Sequence, residues 1–254
     1  MTRQPHQRNR INHDANAKTG VTAGTVGVIV ANAAALGALV ALYLLALEVR
    51  GDPALARQAV WWLALAPPSV VLVMGYSEGC FLVASTLALL ALRRQRWWWA
   101  VPAGFAAGLT RPVGVLLAVP AVVEGWRARD RRALAAALAP LAGTLTYLAT
   151  VAGRADGFWY PLRAQEDPAR RGEWVDPVRG IAHAVREAAS GDRPTALVHL
   201  AAAAGLTALV AVLARRGPVS FAWYAGATLV VALSARNLDS MERYALAAAP
   251  FAIA

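Results

Sequence analysis

The sequence predicts an all-α fold, a polytopic bundle of transmembrane helices, on three observations. The 254 residues are 58% apolar and only 16% charged, whereas a soluble domain is about half apolar and about a quarter charged. Long apolar runs alternate with short arginine clusters. The single cysteine, Cys80, excludes a disulfide framework and a multi-cysteine metal site. The alternative, an alanine-rich soluble bundle, requires a polar stripe on every helix, and runs 133–152 and 195–214 have none.

The first apolar run covers residues 24–47 and is long enough to cross a bilayer, which takes about 20 residues of helix. The later runs cover residues 59–74, 80–92, 97–109, 113–123, 133–152, 195–214 and 219–233, and a last one begins at Tyr244. Several of these runs are too short to span alone. Residues 24–254 are therefore predicted to form one transmembrane domain. Residues 1–23 are polar and predict a disordered tail, which lacks the apolar core of a signal peptide.

The arginine clusters set the predicted topology. A formal charge of +10 is typical of proteins that bind nucleic acid or membranes, and the positions of the arginines decide between the two. The clusters between the apolar runs are Arg50 with Arg57, then Arg93, Arg94 and Arg96, then Arg127, Arg129, Arg131 and Arg132, and finally Arg215 with Arg216. Such short basic clusters mark cytoplasmic loops. We therefore expect membrane lipids as partners and no nucleic acid.

Two segments between these clusters are too short for two full crossings, which need about 40 residues. We expect each to form a hairpin of short, partly re-entrant helices, with tips at residues 76–79 and 110–114. Both tips, the long loop 153–193 and residues 236–243 then meet on the non-cytoplasmic face. Because non-helical backbone at membrane depth requires cover by protein or by a wet cavity, a cavity is expected there.

Glu78 is the first candidate site residue. A carboxylate inside an apolar segment is costly and is by default a functional hypothesis. Its open roles are to hold a sugar hydroxyl, to pair with an arginine or to act as a base. The structural alternative is a helix N-cap, or a tip residue in interfacial water.

Arg111 is the second candidate. It is the only charged residue between Arg96 and Glu124, and the proline that follows it breaks the helix. A guanidinium beside freed backbone groups suits a phosphate or a carboxylate. A structural pair with Glu78 is the alternative, and the two roles are compatible.

Further candidates lie in the long loop and before the last run. The loop carries Gln165 and Trp174, an amide and an aromatic that suit sugar binding and equally suit the aromatic belt of a membrane interface. Elsewhere, Trp61, Trp62 and Trp97–Trp99 are predicted to belong to that belt. Arg243 could bind a lipid-linked phosphate or anchor the chain at the headgroups. His183 and His199 lack partners at metal-ligand spacing. No metal site and no cofactor are predicted, and a requirement for a divalent ion stays open.

The order and spacing of several motifs, from about Val26 to the end, resemble the PIG-V-like mannosyltransferases. These are bacterial relatives of the enzyme that adds the second mannose to glycosylphosphatidylinositol anchors. The motifs are Tyr76-Ser77-Glu78, the arginine cluster followed by tryptophans at 93–99, Gly104-x3-Gly108-Leu-Thr110-Arg111-Pro112-x-Gly114, Gln165 with Trp174, and Ser240-Met-x-Arg243-Tyr244 with Pro250.

This resemblance implies a GT-C glycosyltransferase that transfers mannose with inversion from a polyprenyl-phosphate donor. The acceptor is a lipid or a glycan, and the site faces the non-cytoplasmic side of the bacterial plasma membrane. Glu78 is then the catalytic candidate. The candidate substrate-binding residues are Tyr76, Ser77, Thr110, Arg111, Gln165, Trp174, Arg243 and Tyr244.

The resemblance has one departure. It implies a first span followed by a loop with an aromatic-Asp motif that supplies a catalytic carboxylate, and no such motif precedes Gly24. We therefore expect the chain to correspond to the later part of such an enzyme, with an inactive product as an open alternative. A transporter whose path is lined by Glu78 and Arg111, or a non-catalytic integral membrane protein, are the other readings. A transporter would favour inverted repeats, and the two hairpins are similar only in length.

Overall fold

A computed structural model of the chain describes residues 5–153, 157–167, 171–191, 195–238, 241 and 248–254, with side chains from residue 24 onward. All regular elements in these ranges are helical, which confirms the all-α fold. The α-helices are α1 (Pro5–Arg50), α2 (Pro53–Leu65), α3 (Glu78–Arg93), α4 (Trp97–Thr110), α5 (Ala118–Ala128), α6 (Ala133–Ala152), α7 (Tyr160–Arg163), α8 (Pro177–Ser190), α9 (Ala196–Arg216) and α10 (Val219–Leu233). Short 3-10 helices cover Pro67–Leu72, Pro112–Leu117 and Ala249–Ile253.

Three helices of the described chain are long and apolar enough to cross a membrane: Gly24–Arg50 within α1, α6 and α9. Helix α10 is apolar but shorter. Large apolar side chains such as Leu36, Leu134 and Leu197 are exposed on these three long helices. Exposed apolar surface of this extent is what a lipid-facing helix requires. The three helices are thus compatible with the predicted membrane protein.

The backbone of α1 differs from the prediction for residues 1–23. The sequence predicts a disordered tail, whereas the helix begins at Pro5 and continues without a break into the apolar run. Extension of an existing helix by one residue requires much less free energy than the nucleation of a new helix. The polar segment carries Ala15 and Ala17, which favour helix, and its proline stands at the helix start, where proline is tolerated.

The chain turns back at both predicted tips, and prolines shape these turns. The run at 59–74 is not one helix, because Pro67 and Pro68 follow the end of α2 and a 3-10 helix takes over. The chain then turns through residues 73–77 into α3. In the second hairpin α4 ends at Thr110, Pro112 starts a 3-10 helix, and α5 returns.

The backbones of helices α4 and α6 are in close contact, and this contact positions the second tip. A Cβ on Gly108 would overlap the carbonyl of Pro140, and a Cβ on Gly143 would overlap the carbonyl of Phe105. Thr144 Oγ1 also donates to the Gly108 carbonyl at 3.3 Å. Small residues allow such backbone contact between membrane helices.

Polar contacts join the helix ends near the arginine clusters, which we call the basic end. Arg94 Nε lies 2.7 Å from Glu48 Oε2, and so joins the C-terminal ends of α3 and α1. Arg93 Nη1 lies 3.0 Å from Glu124 Oε1 of α5. Ser220 at the start of α10 donates to the same carboxylate oxygen. The arginine clusters therefore share one end of the bundle.

The tryptophans at this end correct one expectation. Trp61, Trp62, Trp98 and Trp99 are exposed, as an aromatic belt requires. Trp97, expected in the same belt, is only 4% exposed. Its Nε1–H donates to Asp130 Oδ2 at 2.6 Å. A buried tryptophan whose N–H has a hydrogen-bond partner belongs to the packing of the bundle.

Candidate functional site

A cavity of about 420 Å³ lies at the end of the bundle opposite the basic end. Both hairpin tips, α6, the long loop and the C-terminal part of α10 contribute to its walls. The lining residues are Tyr76, Ser77, Glu78, Thr110, Arg111, Pro112, Val113, Val115, Leu116, Tyr147, Pro161, Leu162, Gln165, Arg171, Trp174 and Val231. We call this end the cavity end. Both tips and the long loop, which the sequence predicts on one face, thus come together in one place.

The first tip is held against α1. Asn32 Nδ2 donates to the Val73 carbonyl at 3.2 Å. Gly79 lies against the backbone of Ala31 and Ala35, so closely that a Cβ would stand 2.9 Å from the Ala31 carbonyl oxygen. This contact fixes the start of α3 and therefore the position of Glu78.

Glu78 occupies the first turn of α3, where the helix dipole favours a negative charge. Its side chain is 5% exposed, and Oε1 lies 2.9 Å from Nη1 of Arg111, which is 21% exposed. The Nη1 group is buried and its N–H bonds do not point along a hydrogen bond. The contact is therefore an ion pair set by proximity, as the structural alternative for Arg111 predicts.

The backbone at the second tip explains why Arg111 faces this carboxylate. Arg111 is extended, with φ −149° and ψ 137°, because the residue before proline avoids the helical region. Thr110 Oγ1 donates back to the Ala107 carbonyl at 2.9 Å. Its hydroxyl thus provides a hydrogen bond to a carbonyl group in the last turn of α4. Gly114 lies so close to Ala107 that a Cβ there would overlap the Ala107 carbonyl.

Arg171 is a cavity residue that the sequence does not single out. It is 6% exposed, and its Nη2 donates to the carbonyl of Val231 at 2.6 Å and of Ala232 at 3.2 Å. The guanidinium carbon lies 5.0 Å from the ring centroid of Trp174. The loop carries several arginines, so no sequence signal separates the buried one from the exposed ones.

Backbone bonds fasten this part of the loop to the segment after α10. The Asn237 N–H donates to the Arg171 carbonyl at 2.9 Å, and the Arg236 N–H donates to the Glu173 carbonyl at 3.1 Å. Gln165 belongs to the same fold of the loop, since its carbonyl accepts from the Arg171 N–H. The loop is therefore part of the cavity wall and presents Gln165 and Trp174 to it.

The structure brings together all predicted site residues that it describes: Tyr76, Ser77, Glu78, Thr110, Arg111, Gln165 and Trp174. Arg243 and Tyr244 lie outside the described residues. The lining residues carry one carboxylate, Glu78, and two guanidinium groups, Arg111 and Arg171. This combination suits an anionic group. Among the residues described there is no cluster of three or more histidine, cysteine, aspartate or glutamate side chains that could hold a metal ion.

Comparison of the chain with protein-family models, with curated proteins and with solved structures gives no match in any of the three. The order and spacing of the motifs are therefore the basis of the resemblance to PIG-V-like mannosyltransferases, which stays a prediction. The cavity and its polar lining are the independent observations from which a function can be argued.

Proposed function

We propose that this chain is a membrane glycosyltransferase of the GT-C type. It transfers a mannosyl group from a polyprenyl-phosphate donor to a lipid or glycan acceptor. The observation that carries the proposal is the position of Glu78 and Arg111 at facing hairpin tips in the wall of one cavity. A carboxylate that accepts the acceptor proton and a group that binds phosphate are the two side-chain types that this transfer needs.

In the proposed complex Arg111 binds the phosphate of the donor. Its guanidinium is partly exposed and its backbone is fixed by Pro112, so a bidentate contact with phosphate oxygens requires only a side-chain adjustment. Arg171 adds a second positive charge to the cavity while its Nη2 stays bonded to α10. The two charges stabilise the phosphate as it leaves with the bonding electron pair.

Glu78 is the proposed base, since it is the only carboxylate among the described lining residues. The acceptor oxygen attacks the anomeric carbon from the side opposite the phosphate. The bond between that carbon and the phosphate oxygen breaks, and the acceptor proton passes to Glu78. The products are the glycosylated acceptor, with inverted configuration, and polyprenyl phosphate.

Trp174 and Gln165 are the proposed sugar-binding residues. The ring of Trp174 is half exposed and has Arg171 near one face. An aromatic ring held in this way offers an apolar surface for the hydrogens of a hexose, and the Gln165 amide can both donate to and accept from hydroxyl groups.

The proposed orientation places the cavity on the non-cytoplasmic face of a bacterial cell membrane. The support is the location of the arginine clusters at the opposite end of the bundle, because basic residues in short loops remain on the cytoplasmic side.

The test is transfer by the purified chain in proteoliposomes, with polyprenyl-phosphate-[³H]mannose as donor and a total lipid extract as acceptor source. Glu78→Gln is expected to lower transfer by about two to four orders of magnitude, the usual effect of a lost general base. Arg111→Gln is expected to raise the donor KM and lower the rate. The matched control is Glu48→Gln, which makes the same substitution in the exposed ion pair with Arg94 at the basic end.

Equal transfer by Glu78→Gln and by the native chain would overturn the proposed base. Label that crosses the bilayer while it stays attached to the donor would indicate a transporter instead. Donor binding without transfer in any lipid extract would favour a non-catalytic protein.

A further inference from the structure

We infer that α8 is an interfacial helix that lies on the lipid surface beside the cavity, with Val178, Ile181 and Val185 in contact with the acyl chains. The inference is independent of the proposed reaction and concerns how the long loop meets the membrane. The sequence predicts only a polar loop here, whereas the structure has a 14-residue helix with a side-chain N-cap from Asp176.

The two sides of α8 differ in what they contact. One side packs on the protein: Gly180 and Ala184 are buried, and a Cβ on Gly180 would overlap the carbonyl of Leu233 at the end of α10. Next to this seam, Val178 is 76% exposed and Val185 is 50% exposed. These two valines stand seven residues apart and so share one face of the helix.

The polar flank of α8 lies beyond this apolar face. A helix turns by 100° per residue, so Arg179 and Arg186 lie close together around its axis. They are next to the two valines, on the side away from the buried residues Gly180 and Ala184. Both arginines are exposed, and Arg179 pairs with Asp176, its Nε lying 3.1 Å from Oδ2. An exposed apolar face beside a charged face is typical of a helix that lies at a membrane interface.

The surroundings point to lipid as the occupant of the apolar face. Gly180 of α8 contacts Leu233, the last residue of α10, so α8 lies at the cavity end of the bundle. Helix α9 begins only a few residues after α8 and contacts it. Leu197 and Val198, in the first turn of α9, are exposed on a helix that is long and apolar enough to span a membrane. The exposed face of α8 is thus adjacent to surface that already requires lipid cover.

A depth measurement on the full chain tests this inference. In a Cys80→Ser background, Val185→Cys and its matched control Arg186→Cys are each labelled with the fluorophore NBD and reconstituted in phosphatidylcholine vesicles. The label at 185 is expected to be quenched by lipids that carry a nitroxide near the headgroup and to resist aqueous iodide. Its emission is expected to be shifted to the blue relative to position 186, where iodide quenches strongly.

Two outcomes overturn the inference. Quenching by iodide at 185 as strong as at 186 would mean that the valine face is in water. Protection at 185 from both quenchers would mean that protein covers this face, either a second copy or another chain. Retained helicity and elution volume check that each variant folds, and Val178→Cys provides a second position on the same face.

Discussion

Glu78 and Arg111 form an ion pair between two hairpin tips, with 2.9 Å between Oε1 and Nη1. The two residues stand on separate hairpins, and the contact is the one charged link between those tips in the described chain. The carboxylate is almost fully buried. Loss of one partner therefore leaves the other charge poorly solvated. The effects of the two substitutions on the free energy of unfolding must then depend on each other.

The first prediction concerns this coupling. Glu78→Gln and Arg111→Gln are each expected to lower the free energy of unfolding by about 1–3 kcal/mol, and the double variant by less than the sum, with a coupling of about 0.5–3 kcal/mol. Unfolding by sodium dodecyl sulfate in mixed micelles measures it. The same cycle on the exposed pair Glu48–Arg94 is expected to give about 0–1 kcal/mol. Additive effects at Glu78 and Arg111 would show that the pair does not contribute to stability.

The second prediction concerns the contact of α4 with α6. Gly108→Ala is expected to destabilise the fold by about 1–3 kcal/mol, because the new methyl group overlaps the Pro140 carbonyl and the helices must separate. Gly205→Ala in α9 is the control, since no heavy atom lies within 4 Å of a Cβ there. That change is expected to be neutral or to stabilise, as alanine favours helix by up to about 1 kcal/mol. Equal melting temperatures of the two variants would contradict the close contact.

The third prediction concerns Arg171 and the loop. Arg171→Ala removes the bonds from its guanidinium to the end of α10 and the ion that stands over Trp174. We expect faster hydrogen exchange at the amides of Arg236 and Asn237, which donate to this loop. Exchange measured by mass spectrometry in nanodiscs provides the readout. In Arg163→Ala, altered at a loop arginine that does not line the cavity, these amides are expected to exchange as in the native chain.

The fourth prediction separates two adjacent tryptophans. Trp97→Phe is expected to lower the free energy of unfolding by about 1.5–3 kcal/mol, because the part-buried hydrogen bond from the indole to the Asp130 carboxylate is lost. Trp98→Phe changes an exposed ring and is expected to alter the free energy of unfolding by less than about 0.5 kcal/mol. Thermal unfolding of both variants in the same detergent compares them. Equally small losses for both variants would place both rings in the belt that the sequence predicts.

The hairpins could be predicted from the sequence because proline and charge placement act locally. Pro112 breaks the helix at a fixed position, and short spacing between arginine clusters requires the chain to return. The juxtaposition of Glu78 with Arg111 follows from the same pattern, since both tips must lie at one face. These are short-range rules that need no knowledge of the tertiary packing.

Arg171 and α8 could not be predicted in this way. The burial of Arg171 depends on carbonyl groups at the end of α10, far along the chain. The apolar residues Val178, Ile181 and Val185 do recur at helical spacing, but the segment is short and its polar residues are typical of a loop. The N-cap pair Asp176-Pro177 was the available signal, since aspartate before proline often starts a helix.

Glu124 has a consequence for how the cavity can change its width. Its carboxylate holds Arg93 and Ser220, and so it ties α3, α5 and α10 together at the basic end. The same three elements lead to the cavity, through Glu78, the Arg111 tip and Val231. Glu124 is thus a common contact point from which the three elements extend to the cavity. Rotation of any of the three elements about this contact point therefore changes the width of the cavity, and the eleven residues from Ser220 to Val231, about 16 Å of helix, set how far a given angle displaces the cavity wall.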